Sequence, residues 1–516
     1  MAGALMLTIL SMEDSDIGMR KHGKFIYKVV VFLCLLSIVA FRVNQTLVPK
    51  YLFKEEFALT ETYSGFYKLE QNSVSVLFLG SSHSGAAFNP QDLYDEYKIT
   101  SYNLSSPKQT VWESYYWLKE TLQYQSPQVV VLDSYMLCRE LNQLESRTRM
   151  ALDNMRLGSV KLEAIDTACT FDESQNRISY LLPNIRYHER WSKLNETDFN
   201  WREDVIPPSK LKGFFLHMDK CGYADYVPFE AGESEIEYFC SADKIYLDKI
   251  VQLCRENNID LILVKSPTLY QTLERHNAVA EYADLNNLKF FDFNEKTLYE
   301  KIGFDYSEDM CDNSVTGDMN AHANPAGARK MTYFLGDILL SDYGIEAVTN
   351  WQWEETKEFN QHMWKDFQLH NEINIEKYLS MLDDDSYTIF ITVKDEASKS
   401  LNKSLQEALS NLELTADWSD AFHNSYYAVI ENGQVMVEEM SNQKLDHSGS
   451  FRDGEVIYSL ASAGFTNGND CSIKINYSEN AKRRRGLNIV VYDNELKCVI
   501  DSVCFDTHSE ELTASR

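Results

Sequence analysis

Four short stretches rich in β-forming residues punctuate the first three hundred residues: VSVLFLG at 74–80, VVVLDSY at 129–135, IDLILVKSP at 259–267 and KFFDFN at 289–294. A strand that faces water on one side alternates apolar and polar residues. A run such as Val76-Leu77-Phe78-Leu79 does not, so both of its faces must be covered. Helical spacing between the runs supplies the cover: residues 112–125 and 240–256 read as helices, and another precedes residue 289. Strand–helix alternation of this kind predicts an α/β domain with a mostly parallel sheet between two helical layers. In such sheets, functional groups gather just beyond the carboxyl ends of the strands.

The first run ends in Gly80-Ser81-Ser82, so a serine stands at a sharp turn at that edge. A serine hydroxyl is a weak nucleophile without a base, usually a histidine oriented by a carboxylate. Residues 318–330, DMNAHANPAGARK, offer Asp318, His322 and a helix start at Asn324-Pro325. Apolar residues then recur at Ala328, Met331, Leu335, Ile338 and Leu339, which is helical spacing. His322 is therefore expected on a loop entering a helix, with Asp318, or Asp312 in the same acidic loop, as the orienting acid. Apart from these motifs, Ser81 and Ser82 are ordinary turn and capping residues, and an Asp/His pair is ordinary surface.

These residues resemble the SGNH (GDSL-like) hydrolases of the membrane-anchored DltD/AlgJ-like type, over about 70–342. Gly80-Ser81-Ser82 resembles the Gly-Asp-Ser block, and Tyr102-Asn103-Leu104-Ser105 the Tyr-Asn-Leu-Gly block. His322, Asn324, Gly327 and Ala328 fit the HxNxxGA pattern. The resemblance implies Ser82 as nucleophile, His322 as base, Asp318 as orienting acid, and backbone N–H groups of Ser82 and Ser105 as oxyanion donors. It also shows departures. Asp318 lies four residues before His322 rather than three, the second-block glycine is replaced by Ser105 or Ser106, and Asp133-Ser134 stand where the Gly-x-Asn block is expected. Losing one oxyanion donor costs on the order of 10²–10³ in rate.

The chain has 516 residues and a formal net charge of −29. That length exceeds one typical domain, and that acidity argues against nucleic acid, whose phosphates require Lys and Arg. Arg20, Lys21, Lys24 and Lys28 precede an apolar run from Val29 to Phe41. Extended over 24–48, the run approaches the roughly 20 residues of a membrane span. The basic flank places residues 1–23 in the cytoplasm and the bulk outside. A signal anchor and a cleaved signal peptide are both compatible with this pattern, and no small-x-small cleavage site follows the run. Met19 opens MRKHGK, a more typical start than residues 1–18. Ten cysteines show neither a C-x-x-C pair nor zinc spacing; no metal or cofactor is expected, and Cys221–Cys240 is a candidate disulfide.

The α/β domain is expected over 49–345, interrupted by an insertion at 139–235. Arg186, Tyr187, His188, Arg190 and Trp191 in that insertion read either as a packed helical insertion or as a saccharide-binding wall, since aromatic faces and guanidinium forks suit sugars and anions. A polar linker follows over 346–374. Beyond it YTIFITVK, SYYAVIENG, CSIKIN and a hairpin within 485–508 predict a β-rich α+β domain over 375–510. IFITVKDEASKSLNKSLQEALSNLEL, SYYAVIENG and RGLNIVVYDNELKCVIDSVCFDT resemble the ILEI/PANDER domain, in permuted order. That implies a noncatalytic module binding carbohydrate or protein. The combined expectation is a membrane-anchored, extracytoplasmic acyltransferase or esterase acting on a cell-surface polysaccharide or other acylated glycan. A multispan membrane acyltransferase is a possible partner. A catalytically inactive glycan- or protein-binding scaffold is the competing reading.

Overall fold

The computed structural model describes residues 2–49, 59–137, 145–194, 196–199, 210–221, 226–269, 271–311 and 322–516. They form two compact units, Met1–His217 with Cys221–Lys357, and Met218–Lys220 with Glu358–Arg516.

The first unit holds a parallel sheet of β1 (Val76–Gly80), β2 (Ser101–Ser105), β3 (Val129–Asp133), β4 (Asp260–Lys265) and β5 (Lys289–Asp292), in the order β2-β1-β3-β4-β5. Successive strand residues divide between two cores. Leu77, Leu79, Val130, Leu132, Leu261 and Leu263 pack with the helices Val111–Thr121 and Ser241–Glu256. Val76, Phe78, Val129, Val131, Ile262 and Val264 pack with the helices Pro90–Tyr97 and Pro325–Ser341. Each such side chain contributes about 1.5–3 kcal/mol when removed from water, so the uninterrupted apolar runs require the three layers that were expected. Strand order reverses at β1, whose neighbours β2 and β3 lie on opposite sides, and a crevice opens at the carboxyl ends beside such a reversal.

The insertion is helical at Glu145–Leu152, Ser159–Phe171, Arg177–Leu181 and Asn184–Tyr187. Val160, Ala164, Ile165 and Tyr180 tie it into the first core. The expected linker carries the helices Trp351–Glu354 and Lys357–His370, and Trp353 is fully buried in the first unit. At the N-terminus a helix runs over Ala2–Leu47, and Phe25–Leu47 is long and apolar enough to cross a membrane, with mean hydropathy 2.3. The candidate disulfide is corrected: no disulfide joins Cys221 and Cys240. Cys240 instead caps the helix Ser241–Glu256, accepting from Asp243 N.

The second unit is a curled sheet of ten strands: β6 (Tyr387–Asp395), β7 (Ser425–Glu431), β8 (Gln434–Ser441), β9 (Leu445–Phe451), β10 (Val456–Gly464), β11 (Asp470–Ile475), β12 (Ser478–Glu479), β13 (Gly486–Asp493), β14 (Cys498–Phe505) and β15 (Ala514–Ser515). Ile389, Ile391, Leu487, Ile489 and Val491 meet the helices Ile375–Met381 and Lys403–Asn411. Phe390, Val490 and Tyr492 turn into a second core with Tyr427, Leu460 and Ile473. The β-rich α+β expectation holds; β8, β9, β10 and the two-residue strands β12 and β15 are ones it did not include.

Candidate active site

Ser82 is the first residue of the short helix Ser82–Ala87, which Ser81 caps by accepting from His83 N at 3.3 Å. The turn that delivers it depends on Gly80. Its φ is +148°, and a Cβ there would stand 2.7 Å from Asp133 Cβ and 2.9 Å from Ser84 Cβ. Only glycine fits that conformation and that space.

His322 arrives from the far end of the domain. Asn324 caps the helix Pro325–Ser341 by accepting from Ala326 N and Gly327 N, and its own amide donates to Glu308 O at 2.7 Å. Gly327 permits close approach, since a Cβ would lie 2.2 Å from Asp309 O. The His322 carbonyl accepts from Cys311 N at 2.7 Å. The same helix is fixed to the chain following Ser82 by the Arg329–Asp92 ion pair at 3.0 Å and by Asn89 N donating to Thr332 Oγ1 at 3.1 Å.

These supports bring His322 Nε2 to 2.8 Å from Ser82 Oγ, across 240 residues of sequence. Desolvation, and then the neighbouring His217 ring, push the His322 imidazole down to about 3. His322 is therefore neutral near pH 7, the state in which a nitrogen can accept a proton.

Two further histidines stand here that the sequence reading did not select. The His217 ring stacks on His322 with centroids 5.1 Å apart, and the His83 ring lies 4.7 Å away. His83 also stacks on Tyr135 at 3.6 Å, and Lys265 Nζ sits 3.9 Å from the Tyr135 centroid. His83 was within reach of sequence reasoning, being adjacent to Ser82. His217 was not, because nothing local marks it.

Ser105 ends β2 in register with Gly80, so it shares the sheet edge with Ser82. Its hydroxyl donates to Asn103 Oδ1 at 2.6 Å, and the Asn103 amide donates to Ser84 O at 2.9 Å, which ties β2 to the serine helix. Asp133, ending β3, accepts from Ser81 Oγ at 3.3 Å. Asp318 and Asp312 lie outside the described residues.

The residues considered for a substrate wall bond to their neighbours in the insertion and, through Arg190, to Leu47. Arg186 pairs with Glu145 at 3.0 Å, Tyr187 donates to Asp153 at 2.6 Å, and His188 Nδ1 lies 2.9 Å from Ile185 O. Arg190 pairs with Asp198 at 2.7 Å and donates to the Leu47 carbonyl at 2.6 Å, while Trp191 is exposed.

No family model matches the chain, and no curated protein matches it. Among solved structures it is similar to a GDSL-like lipase from Bacteroides thetaiotaomicron, with 11% identity and a TM-score of 0.26 over 56% of this chain and 98% of that one. It is also similar to a putative acylhydrolase from Bacteroides fragilis, with 12% identity and a TM-score of 0.24 over 54% of this chain and 93% of that one. TM-scores this low assign neither fold nor activity.

Proposed function

We propose that the chain is a membrane-anchored serine acyl esterase or acyltransferase, facing outward and acting on an acylated cell-surface glycan. The observation that carries this reading is the 2.8 Å contact between Ser82 Oγ and a neutral His322 Nε2 at the carboxyl edge of a parallel sheet. Ser82 Oγ attacks the acyl carbonyl carbon, and its proton passes to His322 Nε2. Backbone N–H groups of Ser82 and Ser105 hold the resulting oxyanion. The intermediate collapses by breaking the bond to the leaving alcohol, which takes the proton from His322. Water or a sugar hydroxyl then attacks the acyl-serine, His322 accepting its proton and returning it to Ser82 Oγ as the bond to the acyl carbon breaks. Asp318, or else Asp312, orients His322. The helix Phe25–Leu47 serves as the anchor, the second unit binds glycan or protein, and a multispan membrane acyltransferase supplies acyl groups if the reaction is transfer.

A second reading, a noncatalytic binding scaffold, draws support from Asp133, a carboxylate close to Ser81 where an oxyanion donor would serve catalysis. Hydrolysis of short acyl esters and of acetylated oligosaccharides by the detergent-solubilised full chain separates the two. The enzyme reading expects turnover that falls by at least about 10³-fold in Ser82→Ala. Turnover unchanged by that substitution, or absent from a folded chain, favours the scaffold.

A further inference from the structure

His362 and Asp366 lie one turn apart on the helix Lys357–His370, and Asp493 ends β13 in the same unit. One donor atom from each lies within 4.8 Å of the others. His362 Nε2 stands 2.7 Å from Asp493 Oδ2 and 3.7 Å from Asp366 Oδ2. Both carboxylates are fully buried. Each is fixed through its other oxygen: the Tyr387 hydroxyl donates to Asp366 Oδ1 at 2.5 Å, and the N–H groups of Glu495 and Leu496 donate to Asp493 Oδ1 at 2.6 and 2.8 Å. Asp366 Oδ2, buried and turned toward His362, accepts no hydrogen bond among the described residues. An acceptor left so in a buried position is costly.

We infer that His362 Nε2, Asp366 Oδ2 and Asp493 Oδ2 form a site for a divalent ion of the zinc type. One imidazole with two carboxylates suits such an ion. Donors about 2.0–2.1 Å from a tetrahedral zinc stand roughly 3.3–3.4 Å apart; the 2.7 and 3.7 Å separations lie on either side of that value. Tyr387 and the turn amides orient the ligand oxygens, as outer partners do in metal sites. Three protein ligands leave the fourth position to water. The ion would join the helix Lys357–His370 to the β13–β14 hairpin, stapling this unit.

The test is zinc titration of the chelator-stripped, detergent-solubilised full chain, followed by saturation and by thermal melting. The expected result is saturable binding that raises the Tm of the second unit by roughly 5–10 °C at a hundredfold excess over Kd. Asp366→Asn keeps the side-chain shape and adds a donor, so it folds, and it weakens binding at least ~10–100-fold. His362→Ala behaves likewise, whereas His322→Ala, in the other histidine cluster, retains the binding. Absence of saturable binding, or binding that survives both Asp366→Asn and His362→Ala, overturns the site.

A separate observation carries a second inference, which rests on reading Phe25–Leu47 as the membrane span. Asn184 N donates to Asn44 Oδ1 at 2.8 Å and Arg190 to Leu47 O at 2.6 Å, so the segment 177–199 is fastened to the end of that helix. On it Ile178, Leu182, Ile185, Trp191 and Phe199 are 57, 51, 45, 72 and 57% exposed. So many exposed apolar side chains in one short segment mark an interaction surface. We propose that it lies in the headgroup layer of the bilayer, with Trp191 as an interfacial anchor.

Full chain reconstituted into bilayers with brominated acyl chains tests this through the emission difference between wild type and Trp191→Phe. Quenching of that difference is expected; an unquenched difference overturns the proposal and points to a protein occupant instead. Alkaline extraction reads the anchor separately: a chain released by alkali fails the span, whereas a retained chain with unquenched Trp191 fails only the interfacial segment.

Discussion

Gly80 and Asp133 stand so close that a Cβ on the glycine would lie 2.7 Å from Asp133 Cβ, with the glycine at φ +148°. The contact joins the ends of β1 and β3 and sets where Ser82 leaves the sheet. Gly80→Ala therefore meets both a backbone conformation unsuited to an L-residue and a collision. It is expected to destabilise the first unit by about 2–4 kcal/mol, and to remove serine reactivity in whatever fraction still folds. Thermal melting with activity per folded chain checks this; wild-type values for both would contradict it.

The His322 imidazole, pushed down to about 3 by desolvation and His217, stays neutral far below the ordinary histidine range. Reactivity of Ser82 should accordingly persist as pH falls from 8 to about 5, without the half-loss near 6.5 that an unperturbed histidine gives. The same shift has a stability consequence. The unfolded state binds the proton first, so stability falls as pH drops from about 6.5 toward 3. A rate–pH profile of covalent serine modification provides the check, and a midpoint near 6.5 would contradict the neutral, enclosed base.

His370 shows the opposite sign. Burial pulls its imidazole down, but Asp219 at 2.9 Å and Asp501 at 3.2 Å more than offset that and hold it at about 9. With the folded value above the unfolded one, its stabilisation is complete below about pH 6.5 and disappears as pH rises through 9. The second unit should lose about 2–3 kcal/mol over that window, and His370→Gln should flatten the loss. Melts from pH 6 to 10 test this; identical slopes in the two proteins would contradict it.

Lys212 is buried beside the Trp353 ring and donates to Thr356, and burial pushes its ammonium down to about 7. The unfolded chain holds that proton up to about 10.5, so the cost is greatest at or below pH 7 and fades toward pH 10. Lys212→Met should raise the Tm of the first unit at pH 7 by removing a buried charge, with a gain that shrinks as pH rises. A gain independent of pH, or a loss at pH 7, would contradict this.

Sequence carried the fold wherever one residue type at a time implied burial. Val76–Leu79 had to be covered on both faces, and Asn324-Pro325 had to begin a helix. It carried Ser82 and His322 because each stands beside a structural stop signal. It missed His217, whose position depends on the chain path rather than on its neighbours. It missed β8 and β9 because QVMVEEMS and LDHSGSF are largely exposed or half-buried along their length. The Asn432-Gly433 turn, with φ of 51° and 72°, was the available hairpin signal for β8. His362, Asp366 and Asp493 were invisible as a group, because a local His-x-x-x-Asp spacing meets its third member only through the sheet.

The most direct test is labelling of the detergent-solubilised full chain with a fluorophosphonate probe, followed by identification of the modified peptide. An activated nucleophile predicts a single adduct on Ser82, lost in Ser82→Ala and reduced by at least about 10³-fold in His322→Ala. A folded chain that takes no label, or that is labelled equally well without His322, would contradict a serine activated by that histidine.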